Sequence, residues 1–435
     1  MDKFYFNEEY LSQIPALQLL INLGYQYLSP SKALKERRAK LSNVLLEEIL
    51  AHQLKKINRI EYKGKMYSFH DEDIASAIQK LKSVPPDGLV KTNQAVYDLI
   101  TLGTSIQRSV EGNIRSFNLH YIDWENIENN VFHVTAEFSV ERRRSNETAR
   151  PDIVLFVNGI PFAIMECKSP KEKVEQAVSQ CVRNQNDDYI PHLFSYAQIL
   201  FAVNKNEAKY ATVGSSSKFW ASWKELHDKD EIVEELINRP LSESIKDELF
   251  TGDFFQARSA FDELESGTPR LLTEQDKIIY SLCRPGRLLE IAHKFTVFDG
   301  PIKKIARYQQ YFVIKSTLER VKQFNSSKRR GGIIWQTKGS GKSLTMVMLT
   351  RNLALDPAIS HPRILVVTDR EDLDDQLKNT FVDCGLDTHR ADSGRHLLNL
   401  VEGKKASIVT TLIHKFEKAL NAKEFKDESS DIFVL

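Results

Sequence analysis

Between Glu8 and Leu28 the apolar residues Leu11, Ile14, Leu17, Leu20, Ile21 and Leu23 recur at steps of three and four, and Gly24 ends the run. That spacing predicts an amphipathic helix closed by a glycine C-cap. A second helical stretch is predicted over about 31–57, and two more over 71–81 and 93–102, separated by Pro85, Pro86 and Gly88. Beyond Asn130 the period shortens to two. Residues 131–140 alternate as a strand, and 153–157 and 161–167 read as two further strands joined across Asn158-Gly159, a dipeptide that favours hairpin turns. A helix over 173–184 and a buried apolar strand over 198–203 follow, so the chain up to about residue 235 is expected to be an α/β domain.

From 228 to 296 the chain is charged and helical, with breaks at Gly267-Thr268-Pro269 and Pro285-Gly286, and reads as a connecting segment. A helix over 308–324 then leads to a strand over 331–335, a glycine loop, a helix from Ser343, and strands over 363–368 and 407–410. This alternation predicts a parallel sheet of the nucleotide-binding kind. The expected partition is 1–235, a helical connection over 236–300, and a third region over 301–435.

A chain of 435 residues exceeds one ordinary core and suggests two or three domains. Hydrophobic residues at 41% with charged residues at 27% are the mixture of a folded chain. The formal charge of +1 neither demands nor excludes nucleic acid, so a DNA path has to come from local clusters. Lys35, Arg37, Arg38 and Lys40 form one such cluster and Arg142, Arg143 and Arg144 another; a solvated helix face or strand end accounts for either equally simply. Cys167, Cys181, Cys283 and Cys384 form no CxxC pair, which argues against zinc and disulfides and fits a reducing cytoplasm. The acidic, aromatic start has no basic leader, and no run of about 18 apolar residues occurs, so neither export nor a membrane span is expected.

Chemistry concentrates at two places. Thr337-Lys338-Gly339-Ser340-Gly341-Lys342-Ser343 lies between an apolar run and a helix. Its glycines let main-chain N–H groups turn toward phosphate oxygens, Lys342 neutralises their charge and Ser343 can ligate Mg²⁺. Gln336 stands where the GxxxxGK[ST] pattern has its first glycine. The second place pairs Pro151-Asp152 with Glu166-Cys167-Lys168. Glu166 and Lys168 share one face of a strand. A two-residue loop at Asn158-Gly159 would set Asp152 opposite Met165, whereas an odd-length loop or a bulge would set it across from Glu166; the odd-length loop is the expectation. Two adjacent carboxylates repel unless a cation lies between them, so Asp152 and Glu166 with the Cys167 carbonyl suggest a Mg²⁺ or Mn²⁺ site, with Lys168 orienting or deprotonating the nucleophile.

The run from Trp335 to Ser343 resembles the P-loop of superfamily 2 motors in type I restriction subunits. Residues 366–376 and 408–412 are similar to the next two motor motifs, and Arg307-Tyr308-Gln309-Gln310-Tyr311 to the glutamine motif that reads adenine. Arg150 to Pro161, with Glu166 and Lys168, resembles the PD-(D/E)xK nuclease segment of the same family. The resemblance implies a nuclease domain with a mixed sheet followed by a truncated RecA-like parallel-sheet domain. It implies cleavage of duplex DNA with Mg²⁺, ATP with Mg²⁺ at Gln310, Thr337, Gly339, Ser340, Gly341, Lys342 and Ser343, and methylation and specificity subunits as partners. In that family the helix after the active strand carries Gln followed four residues later by Tyr; Gln180 matches, but Asn184 departs. The superfamily often adds an acid from its first helix, where Glu8 and Glu9 stand. The acidic Asp-Glu-Ala-His motor motif would follow the apolar strand 431–435, so this sequence is expected to bind nucleotide without turning over ATP. A repair helicase-nuclease and an inactive nucleotide-binding assembly module remain as alternatives.

Overall fold

The computed structural model describes residues 8–225, 230–326, 328–402, 407–420 and 431–435. Contacts divide the chain into two units, Met1–His293 and Lys294–Leu435.

In the first unit a π-helical turn, Glu9–Gln13, runs into helix α1, Ile14–Asn22, whose apolar face is fully buried. The chain then enters a six-stranded mixed sheet. Its strands in spatial order are β1 (Gln26–Tyr27), β2 (Phe132–Ala136), β3 (Ile153–Val157), β4 (Ile160–Cys167), β5 (Ile199–Val203) and β6 (Ala208–Ala211). β1 runs parallel to β2, and β4 to β5; the other neighbours are antiparallel. β3, β4 and β5 are buried at every position, as strands covered on both faces must be. Helix α2, Val174–Asn184, packs on β4 and β5. Helix α3, Glu274–Cys283, packs against α1 and is capped by Thr273, whose hydroxyl exchanges hydrogen bonds with Asp276. The charged segment read from sequence as a connection therefore lies in the first unit up to His293.

Two predicted elements are broken. The helical stretch over 31–57 divides into Pro30–Glu36 and Glu47–Ile57, because Arg38 and Ala39 adopt φ of 56° and 55°. Arg37 at that break is buried, donates twice to the Ser139 carbonyl at 3.0 Å and stacks 4.2 Å from the Phe138 ring, so it belongs to the core and not to a surface path. The strand over 131–140 ends at Ala136, since Glu137 turns to φ 53°; Val140–Glu141 pairs separately with Thr148–Ala149.

The second unit carries helix α4, Tyr308–Val321, the phosphate loop, and helix α5, Lys342–Leu355. Strands β7 (Arg363–Thr368), β8 (His389–Arg390), β9 (Ile408–Leu412) and β10 (Ile432–Val434) form a fully parallel sheet in the order β8-β9-β7-β10, and helix α6, Glu371–Asp383, crosses between β7 and β8. The strand predicted over 331–335 is absent from that sheet. Ile333 and Trp335 are 93% and 90% exposed, and the run finds no neighbouring strand among the described residues. Apolar composition marks a segment that can pair, but a strand exists only where another backbone meets it.

Candidate functional site

The first site is built on the β3–β4 hairpin. Asn158 and Gly159 take φ of 52° and 84°, the pair of left-handed residues that a two-residue hairpin turn requires. Asn158 is held there by its side chain, which accepts from Val131 N–H and donates to the Tyr121 carbonyl. A Cβ on Gly159 would lie 2.6 Å from the Leu46 carbonyl oxygen, so glycine is also needed for close packing. The loop is therefore even, and the expected odd-length loop is corrected.

The register is rescued further along. Val157 faces Ile160 and Phe156 faces Pro161, but then Leu155 faces Ala163, Val154 faces Ile164 and Ile153 faces Met165. Phe162 is an extra, bulged residue whose carbonyl accepts from Gln198 N–H at 2.7 Å. Continuing the shifted register sets Asp152 across from Glu166, as a bulge would and an uninterrupted two-residue hairpin would not.

Asp152 and Glu166 are 7% and 0% exposed and share a side-chain hydrogen bond, so one of them carries a proton. Burial pushes the Asp152 carboxyl up to about 7, with Glu8 and Glu137 adding to the rise and Lys168 and the Cys167 N–H opposing it. Burial, then the Asp152 charge, drives Glu166 higher still. Cys167 N–H donates to Asp152 Oδ2 at 2.6 Å. Glu166 is gripped from α2: Gln180 Nε2 donates to Oε2 at 2.7 Å and Asn184 Nδ2 to Oε1 at 3.0 Å. Asn184 was the position where the family pattern failed, and its amide reaches the same carboxyl; the four-residue spacing from Gln180 on one helix face was the signal for it.

Lys168 Nζ donates to the Cys167 carbonyl at 2.6 Å and to Glu8 Oε2 at 3.1 Å. Burial pulls its pKa down, but Asp152 and Glu8 outweigh that and hold the ammonium above its ordinary value. Glu8 is thus brought to the site, while the Glu9 side chain lies outside the described residues. Gln13 was not singled out from sequence: its amide donates to the Asp152 carbonyl at 3.0 Å and to Glu137 Oε1 at 2.6 Å, and Arg150 joins Glu137 to Asp253. Both Cys167 and Cys181 thiols are pushed up by burial, so neither sulfur is a ready nucleophile or ligand.

Among the described residues no cluster of three or more His, Cys, Asp or Glu side chains forms a complete metal cage. The donor set nonetheless fits a hard divalent ion, which takes one or two carboxylates and completes its shell with water and substrate phosphate. Two buried carboxyls that must share a proton are a pair whose repulsion a cation would relieve.

In the second unit Gly339 and Gly341 take φ of 79° and 83°, and Gly341 caps α5. Thr337, Lys338, Gly339 and Lys342 are exposed, with Ser340 and Ser343 half-buried. Gln310 is buried; its Oε1 accepts from Arg307 N–H at 2.9 Å and its Nε2 donates to the Gly341 carbonyl at 3.2 Å. It ties the start of α4 to the phosphate loop, whereas Gln309 is exposed. Gln336, in the first glycine's place, lies 3.4 Å from the Thr345 hydroxyl. Of the acidic run after β7, Asp374 is buried and paired with Arg390 at 2.9 Å. No helix of the described residues is long and apolar enough to cross a membrane.

Residues 5–219 match the family described as the type I restriction enzyme R protein N terminus, and residues 309–435 match the SWI2/SNF2 ATPase family. A Methanocaldococcus jannaschii protein assigned as the MjaIXP type I restriction enzyme endonuclease subunit is 28% identical over 433 residues, which is 97% of this chain and 38% of the relative. The HindI endonuclease subunit of Haemophilus influenzae is 27% identical over 99% of this chain and 38% of its own length. The chain spans less than two fifths of these curated relatives.

Proposed function

We propose, from the premise that this chain is a relative of type I restriction endonuclease subunits along nearly its whole length, that its first unit hydrolyses phosphodiester bonds of duplex DNA. The observation that carries the reading is Asp152 set across from Glu166 with the Lys168 ammonium alongside. Asp152, Glu166 and the Cys167 carbonyl are the residues that would hold Mg²⁺ or Mn²⁺. When bound, the ion supplies a water of lowered pKa and offsets negative charge at the phosphate.

The protein's own groups then have distinct tasks. Gln180 and Asn184 fix both oxygens of Glu166, so its geometry does not depend on solvent. Lys168, kept protonated by Asp152 and Glu8, suits charge stabilisation at the phosphate and not proton abstraction. Water oxygen joins phosphorus as one ester P–O bond breaks, and the departing oxygen takes up a proton.

For the second unit the reading is binding of ATP with Mg²⁺, with Lys342 and the loop N–H groups on the phosphates and Ser343 on the ion. In the whole protein it would be an ATP-driven motor on DNA, working in the cytoplasm with methylation and specificity subunits.

The test is nicking of supercoiled plasmid by this chain with Mn²⁺ or Mg²⁺, beside calorimetric titration of Mn²⁺. Asp152→Asn and Glu166→Gln should lose nicking and Mn²⁺ uptake together, and Lys168→Ala should lose nicking alone. Nicking by Asp152→Asn at the wild-type rate would overturn the assignment.

A further inference from the structure

Two basic clusters about one hundred residues apart in the chain meet at one place on the first unit. A cavity of about 480 Å³ is lined by Lys40 from the first cluster, Arg143 from the second, and Lys82, Ser42 and His192. Lys82 is balanced by the buried Glu47 carboxylate, which also takes Arg38. Lys40 and Arg143 make no ion pair among the described residues. The pocket therefore holds uncompensated positive charge.

His192 adds a second observation. Both ring nitrogens are buried and neither has a hydrogen-bond partner. An unsatisfied buried donor costs about 1–3 kcal/mol, and such a group asks for a ligand or water. Burial, with Arg143 adding, pulls its pKa down to about 4, so the ring is neutral and can donate one hydrogen bond. The pocket is a short step from the catalytic carboxyls. Asn184, whose amide holds Glu166, accepts at its carbonyl from Ile190 N–H at 3.2 Å, and the neighbouring Tyr189 carbonyl accepts from Arg143 N–H at 2.9 Å.

We infer that this pocket, formed by Lys40, Arg143 and His192, takes a backbone phosphate of the DNA substrate remote from the scissile one. The inference rests on the nuclease reading and deepens it, assigning a position that anchors the duplex where no bond is cut. Two cations and a neutral N–H donor suit one phosphodiester oxygen pair, which needs charge and a directed hydrogen bond but no base contact.

The test is fluorescence anisotropy of a short duplex with this chain in chelator, where no cutting occurs, over a series of salt concentrations. Lys40→Gln/Arg143→Gln should weaken binding roughly 10-fold near 0.1 M salt and lower the slope of log affinity against log salt by about 1.8, at ~0.9 for each lost phosphate contact. Lys40→Gln alone, at an exposed position, should lower the slope by about 0.9 without touching the fold. Calorimetry with inorganic phosphate separates the two sources of the same chemistry: tight phosphate uptake abolished by the double variant, with duplex affinity unchanged, overturns the DNA assignment. A chain that nicks plasmid normally while both variants keep wild-type affinity and slope overturns the site and leaves the nuclease reading standing. A wild-type chain that neither nicks nor binds duplex overturns the nuclease reading itself.

Discussion

Asp152 lies across from Glu166 because one residue, Phe162, is bulged out of the hairpin that joins them. Without that extra residue the even loop at Asn158-Gly159 would place Met165 opposite Asp152 and turn Glu166 to the other face of the sheet.

Deleting Phe162 should therefore abolish metal-dependent nicking by restoring the uninterrupted register. The control is Phe162→Ala, which keeps the register and costs about 3–5 kcal/mol of packing. Thermal melts match the two for stability; nicking should survive in Phe162→Ala below its melting point and vanish in the deletion. Equal activity in both would discard the register argument.

Asp152 titrates near 7 and Glu166 higher, each above its unfolded value. The folded chain thus holds protons that the unfolded chain releases. Stability from this pair is full below the unfolded carboxylate range and is lost as pH rises toward about 7. In chelator, the melting temperature of Asp152→Asn minus that of wild type should grow between about pH 5 and pH 8. Added Mn²⁺ should stabilise wild type more at the upper end, because ligation needs the deprotonated pair. A difference that stays flat across the series would show that the pair is not buried and proton-linked as described.

Asn184→Ala leaves Glu166 Oε1 buried without its donor and should cost about 1–3 kcal/mol of stability. Nicking should fall about 10-fold to 100-fold, as for other groups that orient a ligand. Asn184→Asp should be worse, since it sets a like charge against Glu166. Steady-state nicking and chemical denaturation check both, and an Asn184→Asp chain as active as wild type would contradict the contact.

Gly341→Ala meets two obstacles: φ of 83°, and a Cβ placed 2.8 Å from Gln310 Nε2. The backbone strain alone costs about 1–3 kcal/mol. Affinity for a fluorescent ATP analogue should fall about 10-fold, and adding Gln310→Ala should restore only part of it, because the side-chain clash goes and the strain stays. Full restoration would mean that the backbone at Gly341 is unstrained.

Much of this arrangement is legible in the sequence. Period-two alternation and Asn158-Gly159 locate the central hairpin, and the two-residue step from Glu166 to Lys168 gives their common face. The bulge at Phe162 is not legible, because Pro161-Phe162-Ala163 carries no glycine and the extra residue is specified by Gln198 on a neighbouring strand. Asn184 was obscured by a motif comparison that looked for tyrosine, although the helix spacing already placed it beside Gln180. The break after Arg37 was hidden because helical periodicity says nothing about Arg38 and Ala39 adopting left-handed backbone. Ile333 and Ile334 carry the composition of a strand, but pairing is a property of two segments and one was read alone.

Ser12 and Gln275 exchange side-chain and main-chain hydrogen bonds of 2.7 and 2.8 Å, and Tyr25 donates to the Cys283 carbonyl. The stretch that looked like slack between two machines is thus a buckle fastened over the very segment that presents Glu8 to Lys168. A fragment trimmed at residue 219, where the first family match stops, would keep every catalytic side chain and lose the strap that seats one of them.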